Sequence, residues 1–169
     1  MKNAKRVVLG LVAGALLSAM IPATVAVATT DSPCWKVRDA ERSFAQKING
    51  ARDNAGVGNL NLDPELSKAA RKHTKSMKNQ DELYHTPGNK LADRVTNWTI
   101  LGENVGVGGN VDSLHQAFMN SPGHKANIVY GAFKHVGVGV KEDKSGDMWV
   151  TVIFEAQTNP GTSLNMPDC

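Results

Sequence analysis

The chain has 169 residues, of which 19 are Lys or Arg, 16 are Asp or Glu and only 5% are aromatic. Three of the basic residues, Lys2, Lys5 and Arg6, precede a long apolar run, and the chain beyond that run carries equal numbers of basic and acidic side chains. A near-neutral chain with few aromatic residues lacks the basic stripe with which nucleic-acid-binding proteins neutralise phosphates. We therefore expect no nucleic acid partner.

The first 28 residues have the pattern of a secretory signal peptide. The basic start MKNAKR precedes the apolar run VVLGLVAGALLSAMI, and PATVAVA ends in an Ala-x-Ala cleavage motif at Ala28. The apolar run is shorter than the about 20 residues usual for a spanning helix, and no basic stop-transfer flank follows it. The sequence predicts cleavage after Ala28, no membrane span after signal removal, and a secreted, extracellular protein.

Residues 29–169 have the length of one domain, which we divide into a short tail at 29–36 and a domain at 37–169. The two cysteines of the sequence, Cys34 and Cys169, lie near its two ends. In an oxidising compartment such a pair predicts one disulfide that ties the ends together.

Helical spacing of apolar residues dominates the first half of the domain. Apolar positions from Val37 to Ala55 predict a first helix that Gly56 can end. Asp63 followed by Pro64 predicts the cap and first residue of a second helix. Shorter helices are predicted at residues 91–98 and 111–120, with the glycine-rich TILGENVGVGGN between them as a loop.

The last third changes to a period of two. HVGVGV and MWVTVIFEA predict two antiparallel strands joined by the turn KEDKSGD. Gly137 and Gly139 leave one face of the first strand nearly bare, which allows a backbone or a ligand to approach closely. The predicted core consists of Val37, Phe44, Ile48, Leu66, Val138, Val150, Val152 and Phe154.

The second strand carries apolar side chains on both faces, so each face needs a covering layer. Because helices precede the strands along the chain, the predicted fold is α+β, a three-layer α-β-α sandwich with a small central antiparallel sheet.

Three polar residues lie where such a sandwich does not need them. His85 in LYHTPG and His124 in SPGHKANI belong to turn sequences, and Glu103 in LGENVG lies between an apolar stretch and glycines. His73, on the apolar face of the second helix, is instead interpreted as a core histidine with one hydrogen-bonded nitrogen. His115 and His135 are interpreted as surface or strand-entry residues.

The motifs SPGHKANI, VGVGV, WVTVIF and GENVG, with LSKAARKHTKSM and LYHT before them, resemble the CAP family of cysteine-rich secretory proteins, antigen 5 and pathogenesis-related protein 1. The likeness is strongest to its bacterial SCP-like branch and runs from about Val37 to Phe154. It implies an α-β-α sandwich with a cleft of two histidines and two glutamates. His85, Glu103 and His124 match three of these, whereas Ser121 stands at the position of the second glutamate and Phe118 at that of the family's tryptophan.

Two imidazoles and one carboxylate are compatible with a divalent metal such as zinc, with His85 and His124 as ligands together with Glu103. The same residues are equally compatible with a metal-free cluster in which Glu103 fixes the tautomer of one histidine. Tyr84, Asn104, Ser121 and Asn127 are expected to line the cleft, with local capping of the turn as the alternative role for Ser121 and Asn127.

Two functions remain open at this point. One is a binding module for a lipid, a sterol or a cell-envelope component, as the resemblance implies for several family members. The other is a metal-assisted hydrolase, such as a peptidase, in which His85, Glu103 and His124 are the catalytic candidates and Glu103 is the base. The ligand, the oligomeric state and the role of His73 are not predicted.

Overall fold

The middle layer of the molecule is a four-stranded sheet. The computed structural model describes residues 35–156. Within them the strands are β1 (Asn61–Leu62), β2 (Leu101–Gly108), β3 (His135–Glu142) and β4 (Met148–Glu155), in the spatial order β1-β3-β4-β2. β4 pairs antiparallel with both β2 and β3, and the short β1 pairs parallel with β3. The sheet is therefore antiparallel apart from β1.

Five helices form the two outer layers in the described chain: α1 (Asp39–Asn54), α2 (Pro64–Gln80), α3 (Gly88–Ala92), α4 (Val111–Asn120) and α5 (Pro122–Ile128). One layer contains α1, α4 and α5, whose Phe44, Phe118 and Ile128 pack against the even-numbered valines of β3 and β4. The other contains α2 and α3, which pack against Ile153 on the opposite face. The three-layer sandwich predicted from the sequence is confirmed, and all eight predicted core residues are buried.

The first two helices have the predicted ends. α1 ends before Gly56, which adopts a left-handed conformation with φ of 69°. Asp63 caps α2 by accepting a 2.8 Å hydrogen bond from the backbone N–H of Leu66, and Pro64 occupies the first helical position. α4 covers the predicted residues 111–120.

The bare face of β3 is covered by the backbone of α2. A Cβ atom on Gly137 would overlap the backbone of Leu66 and Ser67, and one on Gly139 would overlap the backbone of Ala70 and Arg71. The close approach that the two glycines predict is therefore made by a helix, and it leaves no room for a side chain.

The loop predicted at TILGENVGVGGN is wrong, because residues 101–108 form strand β2 at an edge of the sheet. Its glycines serve packing instead of turning. A Cβ on Gly102 would lie 2.8 Å from the ring of Phe133, and one on Gly106 would lie 2.9 Å from the ring of Phe118. Aromatic side chains of the helical layer thus fill the space that side chains on this strand would need.

Three further predictions need correction. The helix predicted at residues 91–98 is the shorter α3, which ends at Ala92. SPGHKANI is a helix, α5, instead of an open turn, since Pro122 at its first position favours helix initiation. His135 does begin β3, but its side chain is buried and is not at the surface.

The predicted signal peptide, Cys34 and Cys169 lie outside the described residues, and the domain boundaries at 28 and 36 stay predictions. None of the helices within 35–156 combines the length and the apolar character that crossing a membrane requires.

Replacing Gly137 with Ala should destabilise the domain by about 3 kcal/mol or more, because the new methyl group forces α2 away from the sheet. Gly50 is the matched control, since it lies in α1 with open space around its Cβ position. There the same substitution should stabilise by about 0.5–1 kcal/mol, because alanine favours the helix. Urea unfolding of both variants measures the difference, and equal midpoints would contradict the close contact.

Candidate functional site

His85 and Glu103 form a hydrogen-bonded pair beside β2. Nδ1 of His85 lies 2.9 Å from Oε1 of Glu103, and the backbone N–H of Thr86 donates to the same oxygen at 2.8 Å. An ionised carboxylate only accepts hydrogen bonds, so the imidazole carries its proton on Nδ1. The His85 side chain is 59% exposed and that of Glu103 is 6% exposed. The pair therefore presents a fixed imidazole to solvent with a buried carboxylate behind it.

Asn127 of α5 connects this pair to the other helical layer. Its Nδ2 donates to the backbone carbonyl of Glu103 at 3.2 Å and to Oδ1 of Asn104 at 2.8 Å. Asn104 is fully buried, and its Nδ2 donates at 3.0 Å to the backbone carbonyl of His124. Asn127 is thus a cross-bridge to β2 and not a local cap of its turn.

The ring of His124 packs on that of Phe118, with 4.7 Å between the ring centroids. Burial lowers the pKa of His124, and the positive charge that nearby His85 can carry lowers it further. His124 is therefore a neutral imidazole at neutral pH. The three residues singled out from the sequence are brought together, His85 and Glu103 by direct contact and His124 through the two asparagines.

Two other residues expected in the cleft have different roles. The Tyr84 hydroxyl lies 2.8 Å from Oγ of Ser76 and accepts from Gln80, so this side chain packs on α2. Ser121 joins α4 to α5 and makes no side-chain capping bond. His73 is buried, with Nε2 2.7 Å from the carbonyl of Tyr84, as expected for a core histidine with one hydrogen-bonded nitrogen.

The hydrogen bonds of Glu103 commit one of its two carboxylate oxygens. Oε1 accepts from His85 and from the backbone N–H of Thr86, and Oε2 is buried without a hydrogen-bond partner among the described residues. No group of three or more His, Cys, Asp or Glu side chains among residues 35–156 is placed to hold a metal ion. In this arrangement Glu103 orients His85.

Arg52 fixes the position of α5 although the sequence gives no sign of it. Its buried guanidinium donates to the carbonyls of Gly58, Ile128, Tyr130 and Phe133 at 2.7–3.3 Å. These bonds join α1 to the chain at the end of α5. His124 and Asn127 are held against β2 as a result.

A groove of about 380 Å³ lies on the outer side of α1 and α4. Its lining residues are Lys47, Gly50, Ala51 and Asn54 of α1 and His115, Gln116 and Met119 of α4. His115, expected at the surface, is half-buried here, and its ring lies near the backbone carbonyl of Lys47. Its Nε2 is buried and has no hydrogen-bond partner within the described chain.

The pKa of His115 is lowered by burial and, secondarily, by the charge of Lys47, while the charge of Asp112 and the nearby carbonyl of Lys47 act in the opposite direction. His115 is therefore neutral at neutral pH. Its Nε2 is a buried polar atom on a residue that lines the groove. Sequence reasoning missed this site because a single histidine in a polar stretch gives no signal of what it faces.

Comparison with known proteins places the fold in a family. Residues 45–154 match the model of the cysteine-rich secretory protein family, CAP. The chain belongs to the CAP family. The uncharacterized protein YkwD of Bacillus subtilis is 32% identical over 128 residues, which are 72% of this chain and 49% of the relative. This CAP chain thus spans about half the length of the curated relative it matches.

Two solved structures have the same fold. An outer surface protein of Borrelia burgdorferi is 16% identical, with a TM-score of 0.64 over 69% and 92% of the two chains. An extracellular protein of Bacillus anthracis that contains an SCP domain is 25% identical, with a TM-score of 0.60 over 69% of this chain and 41% of the other. Together with the family match and the Bacillus subtilis relative, the Bacillus anthracis protein confirms the predicted resemblance to bacterial SCP-like domains.

We expect zinc to show no stoichiometric binding that depends on the two cleft histidines, because Glu103 is committed to His85. Isothermal titration of zinc at pH 7.5 into the wild type and into His85→Ala and His124→Ala tests this expectation. One-to-one binding that either substitution abolishes, and that weakens below about pH 6.5 as protons compete for the imidazoles, would contradict it.

Proposed function

We propose that this CAP chain is an exported binding module that holds an apolar ligand bearing a hydroxyl group, such as a lipid or a sterol of a cell envelope, in the groove between α1 and α4. The observation that carries the proposal is the groove itself, whose lining includes His115, a residue with a buried Nε2 that has no hydrogen-bond partner within residues 35–156. The predicted signal peptide and the extracellular and outer-surface relatives support export.

The chemistry of the groove suits such a ligand. A buried polar atom without a partner costs about 1–3 kcal/mol, and a ligand hydroxyl that donates to Nε2 once the His115 ring turns toward the groove removes this cost. Gly50, Ala51 and Met119 offer an apolar surface beside it, and the ion pair between Lys47 and Asp112 supplies a polar edge. The volume of about 380 Å³ lies within the roughly 300–1,000 Å³ range of small-molecule sites.

A metal-assisted hydrolase is the second candidate, favoured by one observation. An imidazole whose Nδ1–H is held by a carboxylate resembles the histidines of metal sites, where such a partner fixes the ring. The missing third ligand among residues 35–156 weighs against it. No Ser, Thr or Cys side chain within that range bonds His85, so a protein nucleophile beside this base has no support either.

A monoacylglycerol, which has one acyl chain and free hydroxyls, is a suitable probe of the groove. His115→Leu replaces the imidazole with an apolar side chain and removes the ring nitrogen that would accept the hydrogen bond. It should weaken binding by about tenfold, equivalent to about 1.4 kcal/mol. Ala51→Phe should abolish binding by filling the groove. Gln46→Phe, on the exposed side of the same helix and outside the groove, is the matched control and should bind as the wild type does.

His85→Ala separates the two candidate functions in the same titration. The groove predicts unchanged binding of the monoacylglycerol by this variant, because His85 lies in the cleft beside β2. Binding that is lost in His85→Ala but kept in Ala51→Phe would move the ligand to the cleft. Cleavage of a peptide library by the wild type, abolished in Glu103→Gln, would replace the binding function with the hydrolase.

A further inference from the structure

A second set of titratable side chains is buried at the end of the sheet. Asp63 and Glu155 are 0% exposed and His135 is 1% exposed. His135 is the first residue of β3 and pairs with Glu155, the last residue of β4, while Asp63 follows β1 and caps α2. The backbone N–H of Asp63 donates to the carbonyl of Val136 at 2.8 Å. Four elements of the fold therefore meet at these three side chains.

Four polar atoms of this cluster are buried without a hydrogen-bond partner among residues 35–156. They are Oδ2 of Asp63, Nδ1 of His135 and both carboxyl oxygens of Glu155. Nδ1 of His135 lies 3.5 Å from Oε2 of Glu155, just beyond a good hydrogen bond. Unpartnered buried polar atoms are rare in native proteins, and several in one place call for a physical explanation.

We propose that Asp63, His135 and Glu155 form a buried proton-binding site, which the folded chain keeps occupied in mildly acidic solution and which makes the domain less stable as the pH rises through neutrality. The proton is taken from solvent on folding and lies on Oε2 of Glu155, from which it is donated to Nδ1 of His135. A small rotation of either side chain closes this bond. The single proton then provides a hydrogen bond between Oε2 of Glu155 and Nδ1 of His135. It also keeps Glu155 neutral, so that the site carries no second negative charge besides that of Asp63.

The surroundings of Glu155 favour its neutral form. Burial, followed by the negative charges of Asp63 and Glu65, raises its pKa from an ordinary 4.5 to about 7. Burial lowers the pKa of His135, so this imidazole is neutral and can accept the proton of Glu155. Burial also raises the pKa of Asp63, against the hydrogen bonds that it accepts as the cap of α2.

The direction of the pH effect follows from the raised pKa. The folded state binds this proton more tightly than the unfolded state, so the contribution to stability is complete below pH 4.5 and is lost as the pH rises through about 7. The lowered pKa of His135 acts in the opposite direction, since it removes stability as the pH falls below its ordinary 6.5. The two effects are separated by removing the carboxyl group of Glu155 alone.

The site has a mechanical consequence that does not depend on the proposed ligand. Loss of the proton places a second carboxylate beside Asp63, at the junction of β1, α2, β3 and β4. The repulsion loosens the start of α2 from the sheet. Alkaline solution should therefore open this end of the domain first.

Glu155→Gln, which is neutral at every pH and close in size to protonated Glu, is the test variant. Urea unfolding at pH 5, 6, 7 and 8 measures the unfolding equilibrium constants of the wild type and the variant. The ratio of wild type to variant should rise by up to about tenfold per pH unit between pH 5 and 7. Glu142→Gln, at an exposed position of β3, is the control and should follow the wild type. A ratio for Glu155→Gln that is the same at all four pH values would overturn the proposal.

A measurement on the wild type decides the matter if Glu155→Gln does not fold. In a protein labelled with carbon-13 at the glutamate carboxyl groups, one resonance should titrate with a midpoint near pH 7. That resonance belongs to Glu155 by its absence from the Glu155→Asp spectrum. Glutamate resonances that all titrate below about pH 5.5 would show that the site holds no proton in mildly acidic solution.

Discussion

The contact between the backbone of α2 and the two glycines of β3 determines where the functional residues lie. Gly137 and Gly139 let the helix approach the strand more closely than any side chain would permit. α2 then ends at Gln80, and Asp81 caps it in a left-handed conformation. His73 of α2 forms a hydrogen bond with the backbone carbonyl of Tyr84 and so fixes the segment that follows the helix. The residue after Tyr84 is His85, which is therefore placed within hydrogen-bond distance of Glu103 on the edge strand β2.

The opposite layer reaches the same edge through a different device. Arg52 donates to four carbonyl oxygens around the end of α5, and burial lowers its pKa without making the guanidinium neutral at physiological pH. A buried cation held only by carbonyls is costly to disrupt, because its removal would leave four acceptors unpaired. α5 is fixed in this way, and Asn127 and Asn104 complete the connection to β2. The cleft is thus built from backbone positions that the fold sets.

The sequence predicted those parts of the fold that depend on regular spacing and local capping. No knowledge of neighbouring segments was needed to predict the helical periods of α1 and α2, the Asp63 cap or the alternation in β3 and β4. The same is true of the bare face of β3 at Gly137. β2 was missed because a strand with three glycines on one face, at 102, 106 and 108, looks like a loop unless the rings of Phe118 and Phe133 are known to fill the gaps. The capacity of SPGHKANI to form α5 was missed because Pro122 and Gly123 signal a turn as readily as a helix start.

The candidate site was predictable in its members but not in its bonding. Turn contexts and the family resemblance identified His85, Glu103 and His124. Only the structure shows that Glu103 forms a hydrogen bond with His85 and that these residues do not form a three-ligand metal group within residues 35–156. His115 and the buried pair of His135 and Glu155 were missed because a single residue carries no spacing pattern. What each one does depends on segments distant in sequence, such as the carbonyl of Lys47 or the end of β4.

The central claim is that a hydrogen bond to Glu103, and not a metal ion, fixes the imidazole of His85. Long-range nitrogen-15 spectra of the histidine rings, recorded at neutral pH before and after treatment with EDTA, test it most directly. The account predicts that neutral His85 carries its proton on Nδ1 and that its resonances are the same in both spectra. A proton on Nε2, or resonances that move when metal is removed, would contradict it.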